Sequence, residues 1–350
     1  MTTPTSSGPA TTLTEVVLPG LVAPDGLRVQ QRPVPSPLEG QVLVEMLATG
    51  VSFAEQQMRR GRYPGQPSFP FVAGYDIVGT VAATGPGGDG TAVGRRVAAV
   101  TKTGGWSTHV LIDARDLVPV PDILDSAEAE TVVVNGVTAW QMLHRKARVQ
   151  PGQTILVHGA NGGVGGTLVQ LARHAGIGVI GTASPRHHDR LREVDVDPID
   201  YNDPQLSDRV RELAPGGVDA VFDHLGGSSF RRSFDLLARG GTLVAYGTAA
   251  QRDDADNVAL TFAAIYARIM AWNLTPNRRH ALFYNFWAGK RMRPTKFRQQ
   301  LSSDLTTVLA LLADETITTH VAARIPLTEA GRALTLAESK TAYGKVALTP

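Results

Sequence analysis

A glycine-rich segment directly after an apolar run is the part of the sequence best suited to bind an anion. Residues 158–166 read His-Gly-Ala-Asn-Gly-Gly-Val-Gly-Gly and follow the apolar residues 154–158, which are typical of a buried parallel strand. A strand, a glycine-rich turn and a helix form the context of a dinucleotide-binding fingerprint, present here as A-x-G-x-x-G with Ala160 in place of the first glycine. Gly162 would let the backbone approach a pyrophosphate, and Gly165 would permit close packing of the helix, whose N-terminus offers free N–H groups. The alternative is a glycine-rich turn that binds no ligand.

A second polar segment lies about 20 residues further on, where the next strand should end and a ribose-binding residue is expected. Residues 182–188 read Thr-Ala-Ser-Pro-Arg-His-His, without the Asp or Glu that an NAD enzyme usually carries. The Ser184 hydroxyl can donate to a 2′-phosphate and the Arg186 guanidinium can bind it with charge assistance, whereas a carboxylate would repel it. His187 is expected to contact solvent or the phosphate. The sequence therefore predicts NADPH as the cofactor, with a solvated Arg186 of no role as the alternative.

Composition limits the chemistry available elsewhere in the chain. The 350 residues include no cysteine, which excludes disulfides, thiolate ligands for zinc and a cysteine nucleophile. The formal charge of +2, from 34 basic and 32 acidic residues, argues against a dedicated nucleic-acid-binding protein. Neither a secretory signal nor a run of about 18 apolar residues is found, so we expect a cytoplasmic protein without a membrane span.

The elements that must position these residues fall into two regions of different pattern. Before residue 121 the signals are short and β-type, at Gln41–Leu47, Ile77–Ala82 and Arg96–Val100, between clusters of Gly, Pro and Asp. After residue 125 a helix is predicted from Ser126 through Leu143, and strands then alternate with helices. The predicted strands are Thr154–His158, Val179–Thr182, Ala220–Phe222 and Thr242–Ala245, and the predicted helices are Thr167–Ala175, His188–Val194 and Phe230–Ala238. This alternation indicates a doubly wound parallel sheet and an α/β fold class.

Short strand-like segments return near the end of the sequence, at Ala322–Pro326 and Tyr343–Leu348, and could join the β-rich region. These patterns define the expected domains. They are a disordered tail (1–13), a β-rich domain (14–125 with 300–350), a dinucleotide-binding domain (126–275) and a further basic-aromatic segment (276–299).

The basic-aromatic segment lies inside a longer stretch, Asn257 to Ser303, that contains no Asp or Glu. Its basic residues are Arg268, Arg278, Arg279, Lys290, Arg291, Arg293, Lys296 and Arg298. Three interpretations stay open. The stretch could be a lid or dimer contact with a solvated basic face, a contact for a polyanion such as the phosphates of a coenzyme A thioester, or a surface for anionic lipid or RNA.

Several motifs, in order along the chain, resemble those of a known family. They are residues 74–79, 104–107, 134–140, 158–171 and 218–223. The resemblance extends from Val16 to Leu348 and is to the medium-chain dehydrogenase/reductase superfamily, in its zinc-free, zeta-crystallin-like quinone oxidoreductase branch. It implies a GroES-like, β-rich catalytic domain, a Rossmann NADP(H)-binding domain with a doubly wound parallel sheet, and a lid or dimer segment at 276–299.

The same resemblance implies that the metal site of zinc-dependent relatives is missing. Those relatives carry Gly-His-Glu where residues 74–76 read Gly-Tyr-Asp, and a ligand cysteine in the segment that reads Gly-Val-Ser-Phe-Ala-Glu at 50–55. Their lobe for a structural zinc would fall near 102–106, where this chain is short. Without thiolates, and with Tyr75 in place of histidine, no tetrahedral zinc site is expected.

The resemblance also implies which residues contact the cofactor, and each is a prediction. Those at the pyrophosphate and 2′-phosphate are Asn161, Gly162, Gly163, Val164, Ser184, Arg186 and His187. Those at the adenosine and nicotinamide are Tyr201, Gly247, Thr248, Asn135 and Thr138. His187 stands where many relatives have lysine, which would make phosphate binding weaker or dependent on pH.

Two residues are the implied catalytic candidates, Ser52 and Tyr63. Tyr63 would stabilise or protonate an enolate, with an aromatic packed at a loop-to-domain contact as the alternative. Lys345 could reach the cofactor, although we expect it to be an exposed lysine. For Asp223 the expected role is to cap the turn after its strand.

The predicted function is hydride transfer from NADPH to a quinone or an α,β-unsaturated carbonyl, with a small, planar, hydrophobic substrate, no metal and a homodimer as the expected assembly. Two other functions stay open: an enoyl-thioester reductase, and a non-catalytic NADPH-binding regulatory protein.

Overall fold

The computed structural model describes residues 11–88, 90–249, 258–339 and 341–350. The chain divides into two compact units, residues 1–134 with 320–350 and residues 135–319. The tail expected over 1–13 lies mostly outside the described residues. Thr12 and Leu13 instead begin the first strand, because Leu13 is fully buried there.

Both units contain β-strands. In chain order they are β1 (Thr12–Leu18), β2 (Arg28–Pro33), β3 (Gln41–Val51), β4 (Phe71–Val72), β5 (Asp76–Thr84), β6 (Arg96–Val100), β7 (His109–Asp113), β8 (Val118–Pro119), β9 (Thr154–His158), β10 (Gly178–Ala183), β11 (Asp197–Asp200), β12 (Val218–Asp223), β13 (Leu237–Ala245), β14 (His280–Phe283), β15 (Val321–Pro326) and β16 (Lys345–Thr349).

Helices connect and cover these strands. They are α1 (Phe53–Arg59), α2 (Ser126–Trp140), α3 (Gly163–His174), α4 (His188–Glu193), α5 (Leu206–Leu213), α6 (Ser228–Asp235), α7 (Val258–Asn273), α8 (Pro294–Ala313) and α9 (Ala330–Glu338). The helix predicted from Ser126 continues past α2 as wider π-helical turns to Ala147. Within the described parts of the chain, no helix is both long and apolar enough to cross a lipid bilayer.

The first unit is the β-rich, GroES-like domain. Its larger sheet has the order β15-β16-β3-β5-β6-β8, with β7 also paired to β3, and a smaller sheet has the order β2-β1-β4. Alternate residues of these strands turn inward to a core that includes Trp106, Ile77 and Met46. As expected, the end of the chain returns to this domain, because β16 pairs antiparallel with β3 (Val346 opposite Val51).

The second unit is a Rossmann domain. Its parallel sheet has the order β11-β10-β9-β12-β13-β14, which is the doubly wound order 3-2-1-4-5-6. Leu156, Val221 and Leu243 of three neighbouring strands are fully buried, as expected for strands covered on both faces. The strand order reverses between β9 and β12. Because ligands of such sheets bind outside the carboxyl ends of the strands at the reversal, the residues after β9 and β12 form the candidate site.

The boundaries of the units differ from the expected domains at two places. The division falls inside α2, after Val134, and not at residue 125. The second unit runs to Thr319 and so includes 300–319, because α8 continues without a break to Ala313. The buried Asp304 holds α8 within this unit by accepting from Gln141 Nε2 at 2.8 Å and from Arg145 Nε at 2.9 Å.

Candidate functional site

The turn between β9 and α3 has the geometry of a phosphate-binding loop. Gly159 adopts a left-handed conformation (φ +69°), and the Ala160 N–H donates to Thr182 O at 3.0 Å, which fixes the turn against β10. A Cβ on Gly165 would lie 2.1 Å from Gly159 O, so only glycine allows α3 to start this close to the strand. The residue that precedes α3, Gly162, has no side chain to cap the first-turn N–H groups. These groups therefore suit an anion, with the helix dipole adding to the attraction.

Asn135 of α2, which was predicted near the nicotinamide, lies beside this turn. A Cβ on Gly163 would come within 2.5 Å of Asn135 Nδ2, so glycine at 163 keeps room for the amide. Thr138 lies one turn further along α2 and is buried. Asn161 in the turn and Val164 in the first turn of α3 are both half-buried. The structure thus brings the predicted pyrophosphate residues and Asn135 together within one unit.

The predicted 2′-phosphate residues follow β10, and the predicted adenosine residue Tyr201 follows β11, which is adjacent and parallel to β10. Ser184 is half-buried, and the exposed Arg186 donates from Nε to His187 Nε2 at 3.1 Å. Burial lowers the pKa of His187, and Arg186 and Arg190 lower it further, so this imidazole is a neutral partner near neutral pH. Tyr201 is 55% exposed and follows β11, with its N–H donating to Ala183 O at 3.3 Å.

An acidic residue does end β11, next to this group. Asp200 lies opposite Ala183 in the register of the two strands. Its carboxylate accepts the backbone N–H of Asn202 at 3.0 Å, so one oxygen is used in the local turn.

Gly247 and Thr248, which were predicted near the nicotinamide, follow β13. Backbone hydrogen bonds join this segment to the end of β12: Tyr246 N–H donates to Asp223 O and Ala249 N–H to His224 O, both at 2.9 Å. A Cβ on Gly247 would lie 2.8 Å from His224 O. Gly247 is therefore required by the close approach of the two chain segments, and Thr248 is half-buried beside it.

A buried polar cluster under the phosphate turn was not predicted from the sequence. Asp223 accepts from the Leu225 N–H (2.8 Å), which is the predicted turn cap, and also from the hydroxyls of Ser229 (2.7 Å) and Ser233 (2.6 Å). His158 bonds to Ser233 Oγ at 3.1 Å through Nε2 and to Thr182 Oγ1 at 3.2 Å through Nδ1. Burial lowers the pKa of His158. The sequence feature that could have indicated this cluster is His158, a histidine at the end of an otherwise apolar strand.

His224 is a second residue that sequence reasoning missed. Its Cε1 atom lies 2.6 Å from where a Cβ of Gly159 would be, so the ring packs against the glycine of the phosphate turn. The ring centroid lies 5.7 Å from that of Tyr246, and burial lowers the pKa of His224.

Ser52 of the first unit caps α1, and its partner is a glutamate that the sequence did not single out. Ser52 Oγ accepts the Ala54 N–H at 3.1 Å, and the Ser52 N–H donates to Glu55 Oε2 at 2.8 Å, which is a capping box. The two side chains meet at 2.5 Å, from Ser52 Oγ to Glu55 Oε2. Glu55 is 1% exposed, and burial raises the pKa of its carboxyl.

Tyr63 forms a hydroxyl pair with Tyr75, the residue that stands in place of a zinc-ligating histidine. The two hydroxyl oxygens are 2.6 Å apart and the rings meet edge to face, with centroids 5.9 Å apart. Tyr75 is buried, whereas Tyr63 is half-buried with Lys102 Nζ 5.9 Å from its ring centre. The hydroxyl group of Tyr63 is therefore oriented by the buried Tyr75.

Lys345 is not exposed, which corrects the sequence-based expectation. It is 5% exposed, and its Nζ lies 3.0 Å from Asp76 Oδ2 and in contact with Glu130 Oε1. Burial alone would lower the pKa of Lys345, but Asp76 and Glu130 outweigh it and raise the pKa. Burial raises the pKa of Glu130 well above its usual range. The expectation failed because the two carboxylates lie far from residue 345 in the sequence.

The basic-aromatic segment consists of β14, a loop and the start of α8. Trp287 and Phe297 stack with centroids 5.9 Å apart, and Lys290 Nζ lies 4.4 Å from the centre of the Trp287 ring. Arg291 and Arg293 are exposed.

Two family models match this chain. An alcohol dehydrogenase GroES-like domain matches residues 38–122, and a zinc-binding dehydrogenase domain matches residues 196–348. The first match lies within the first unit, and the second covers residues 196–319 of the second unit together with 320–348 of the first.

Individual proteins resemble it as well. The human synaptic vesicle membrane protein VAT-1 homolog is 36% identical over 67% of this chain, and the aligned region spans 61% of the human protein. A solved mycobacterial quinone oxidoreductase is 31% identical, with a TM-score of 0.79, over 97% of this chain and 100% of that one. A mycobacterial structure in complex with NADPH is 30% identical, with a TM-score of 0.82 and the same shares covered. The chain belongs to the medium-chain dehydrogenase/reductase superfamily, in its quinone oxidoreductase branch.

Proposed function

We propose that this protein is an NADPH-dependent reductase that transfers a hydride to a quinone or an α,β-unsaturated carbonyl without a metal ion. The observation that carries the proposal is the uncapped N-terminus of α3 beside Gly159 and Gly165, where a side chain on Gly165 would fill the cradle. This geometry fits a pyrophosphate. When bound, NADPH supplies the hydride from its nicotinamide.

The chain's own residues would hold the two ends of the cofactor. Ser184 would donate a hydrogen bond to the 2′-phosphate, and Arg186 would donate hydrogen bonds from a positively charged group. Both residues follow β10, where a ribose-binding residue is expected. Gly247 and Thr248, with the Asn135 amide, would line the path toward the nicotinamide. Tyr201 would flank the adenosine.

The absence of a metal step is argued from the chemistry of the side chains at the place where zinc relatives bind zinc. Tyr75 hydroxyl is bonded to Tyr63, Asp76 is paired with Lys345, and Ser52 is bonded to Glu55. Neutral hydroxyls and a carboxylate already paired with an ammonium make a poor ligand set for Zn²⁺. The described residues contain no group of three or more His, Asp or Glu side chains suited to a metal ion.

Without a Lewis acid, the acceptor must already be electron-poor. Quinones and conjugated carbonyls meet this requirement, because hydride addition places the negative charge on an oxygen that a hydroxyl donor can stabilise. Ser52 and Tyr63 are the proposed donors for that oxygen.

Stopped-flow oxidation of NADPH tests the proposal. The purified protein with bound NADPH is mixed with a benzoquinone, an enone or a crotonyl thioester, and the loss of reduced nicotinamide absorbance is followed. We expect turnover with the quinone or the enone that is unaffected by chelators. Turnover with the thioester alone would favour an enoyl-thioester reductase, and tight NADPH binding without turnover on any acceptor would favour a non-catalytic protein.

We also propose that two copies associate through α7 and β14. β14 is an edge strand in the order of the described sheet, and α7 exposes Leu260, Tyr266 and Met270. An edge strand beside an apolar helix face is a typical interface. Sedimentation velocity should give a dimer for the native chain and a monomer for Leu260→Glu/Met270→Glu. A native chain that sediments as a monomer would contradict the assignment.

A further inference from the structure

Three carboxylates and one ammonium are buried in the first unit. Glu55 of α1, Asp76 of β5 and Glu130 of α2 are each no more than 1% exposed, and Lys345 of β16 is 5% exposed. If every group were ionised, the cluster would carry two uncompensated negative charges. Burial of an unpaired charge is costly, so such a cluster takes up protons instead.

The hydrogen bonds distinguish Glu55 from the other two carboxyl groups. Lys345 Nζ contacts Asp76 and Glu130, whereas the bonds of Glu55 run to the Ser52 backbone and hydroxyl. Arg59, one turn further along α1, is paired with Glu338. Glu55 therefore lacks the ammonium partner that Asp76 and Glu130 share.

Orphan oxygens indicate that these carboxyl groups take up protons. Glu55 Oε1, Asp76 Oδ1 and Glu130 Oε2 are buried and have no hydrogen-bond partner among the described residues. An ionised carboxylate with a buried, unsolvated oxygen is far less stable than a neutral one. Burial and the nearby Asp76 both raise the pKa of Glu55.

The protonation of Glu55 decides what the Ser52 hydroxyl can do. Ser52 Oγ accepts the Ala54 N–H and lies 2.5 Å from Glu55 Oε2. If Glu55 were ionised, the hydroxyl proton of Ser52 would be held between these two oxygens. If Glu55 is protonated, it donates to Ser52 Oγ, and the hydroxyl proton of Ser52 is free to point away from the cluster.

We propose that Glu55 is a buried proton source that acts through Ser52 on the bound acceptor. The proposal rests on the proposed reductase function. As the hydride and its electron pair reach the acceptor, the acceptor oxygen gains negative charge. That oxygen takes the Oγ–H proton of Ser52, Ser52 Oγ takes the proton of Glu55 Oε2, and the carboxylate left on Glu55 regains a proton from solvent. The acceptor has then gained one hydride and one proton. Ser52 is the catalytic residue in this step, and Glu55 positions and supplies its proton.

The pH profile of kcat in Glu55→Gln separates this role from helix capping. The native rate should fall as pH rises through the raised pKa of Glu55, because only the protonated acid can donate. Glu55→Gln keeps an oxygen for the Ser52 N–H but cannot transfer a proton, so kcat should drop by roughly 10²-fold and lose that pH dependence, with KM little changed. Ser52→Ala should show the same loss, and Glu55→Asp should restore part of it.

The matched control is Asp125→Asn, which keeps an oxygen for the N–H groups of Ala127 and Glu128 at the start of α2 but removes the charge that pairs with Arg324. It should lower the melting temperature without moving the pH profile. A pH profile in Glu55→Gln that matches the native one would overturn the proposal.

Infrared difference spectroscopy gives a readout that needs no turnover. Spectra of the native protein minus Glu55→Gln at neutral pH should contain the carbonyl stretch of a protonated carboxyl group. If this band were absent, the assignment of Glu55 as the proton source would be overturned even in an active enzyme. If the native protein shows this band but oxidises NADPH with neither a quinone nor an enone, the reductase function itself fails, and the relay fails with it.

Discussion

Arg186 is the residue on which cofactor choice depends most directly. It is exposed and follows β10, and its guanidinium is joined to the imidazole of His187, whose lowered pKa makes it an uncharged neighbour. We expect Arg186→Asp to weaken NADPH binding by about 1–3 kcal/mol, the usual value of a hydrogen bond to a charged group, and to leave NADH binding unchanged. Fluorescence titration of both nucleotides measures the difference.

The control for this prediction is Arg192→Asp, which makes the same charge reversal on α4 at a side chain paired with Asp189 at 2.7 Å. It should change NADPH affinity much less. Equal native affinity for NADH and NADPH would remove the 2′-phosphate assignment.

His158 makes a prediction about stability and pH. Burial lowers the pKa of this histidine in the folded protein, so below about pH 6.5 the unfolded chain takes up a proton that the folded chain does not. The contribution of His158 to the free energy of unfolding is therefore complete above that pH and is lost as pH falls. We expect His158→Gln to be less stable than the native protein at about pH 7.5, with the gap narrowing toward about pH 5.5. Urea unfolding at both pH values measures it, and a gap that widens on acidification would contradict the assignment.

At the residue scale, the sequence is most informative where the residues concerned are contiguous in the chain. Gly162 and Gly165 could be found because a strand, a short turn and a helix are contiguous in the chain. Glu55 and Lys345 could not be assigned in the same way. Their environment is formed by α1, α2, β5 and β16, and the sequence does not show which distant carboxylates share one ammonium.

At the scale of elements, the start of α3 offers a matched pair of glycines. A Cβ on Gly165 would lie 2.1 Å from Gly159 O, whereas one on Gly166 would lie 3.6 Å from Ala160 O, an ordinary contact. We expect Gly165→Ala to cost about 1–3 kcal/mol of stability and to weaken NADPH binding, because α3 must move away from the turn. Gly166→Ala should be neutral or stabilising by about 0.5–1 kcal/mol.

Thermal unfolding and NADPH titration of the two variants check this pair. If Gly165→Ala bound NADPH as tightly as Gly166→Ala does, the close approach of helix and strand would not matter for the cofactor.

Strands were predicted more accurately than helix boundaries. β9 and β6 have the predicted bounds, because each is a short apolar run between turn residues. α3 begins at Gly163, four residues before the predicted Thr167, since glycines are poor helix formers and a sequence pattern leaves them in the turn. Packing against β9 and β10 overrides that weak preference.

At the scale of the whole molecule, the acid-free stretch raises the question of what its positive charge does. Arg291 and Arg293 are exposed, and surface substitutions of this kind usually change stability by no more than about 0.5 kcal/mol. We expect Arg291→Glu/Arg293→Glu to leave quinone turnover intact. Steady-state kinetics with a quinone and with an acyl-CoA check this, and Arg211→Glu/Arg231→Glu is the control for net charge. A large loss confined to acyl-CoA substrates would instead assign the stretch to a polyanionic substrate.

The pairing of β16 with β3 has a consequence for the order in which the chain acquires its structure. The second unit is one continuous segment, 135–319, and all of it has been translated before residues 345–349 exist. The first unit cannot complete its larger sheet until then, because β16 lies between β3 and β15 and carries Lys345 to two buried carboxylates. During synthesis the Rossmann domain can therefore fold before the β-rich domain, whose last strand is translated later. This order is the reverse of the usual one, in which the N-terminal domain folds first.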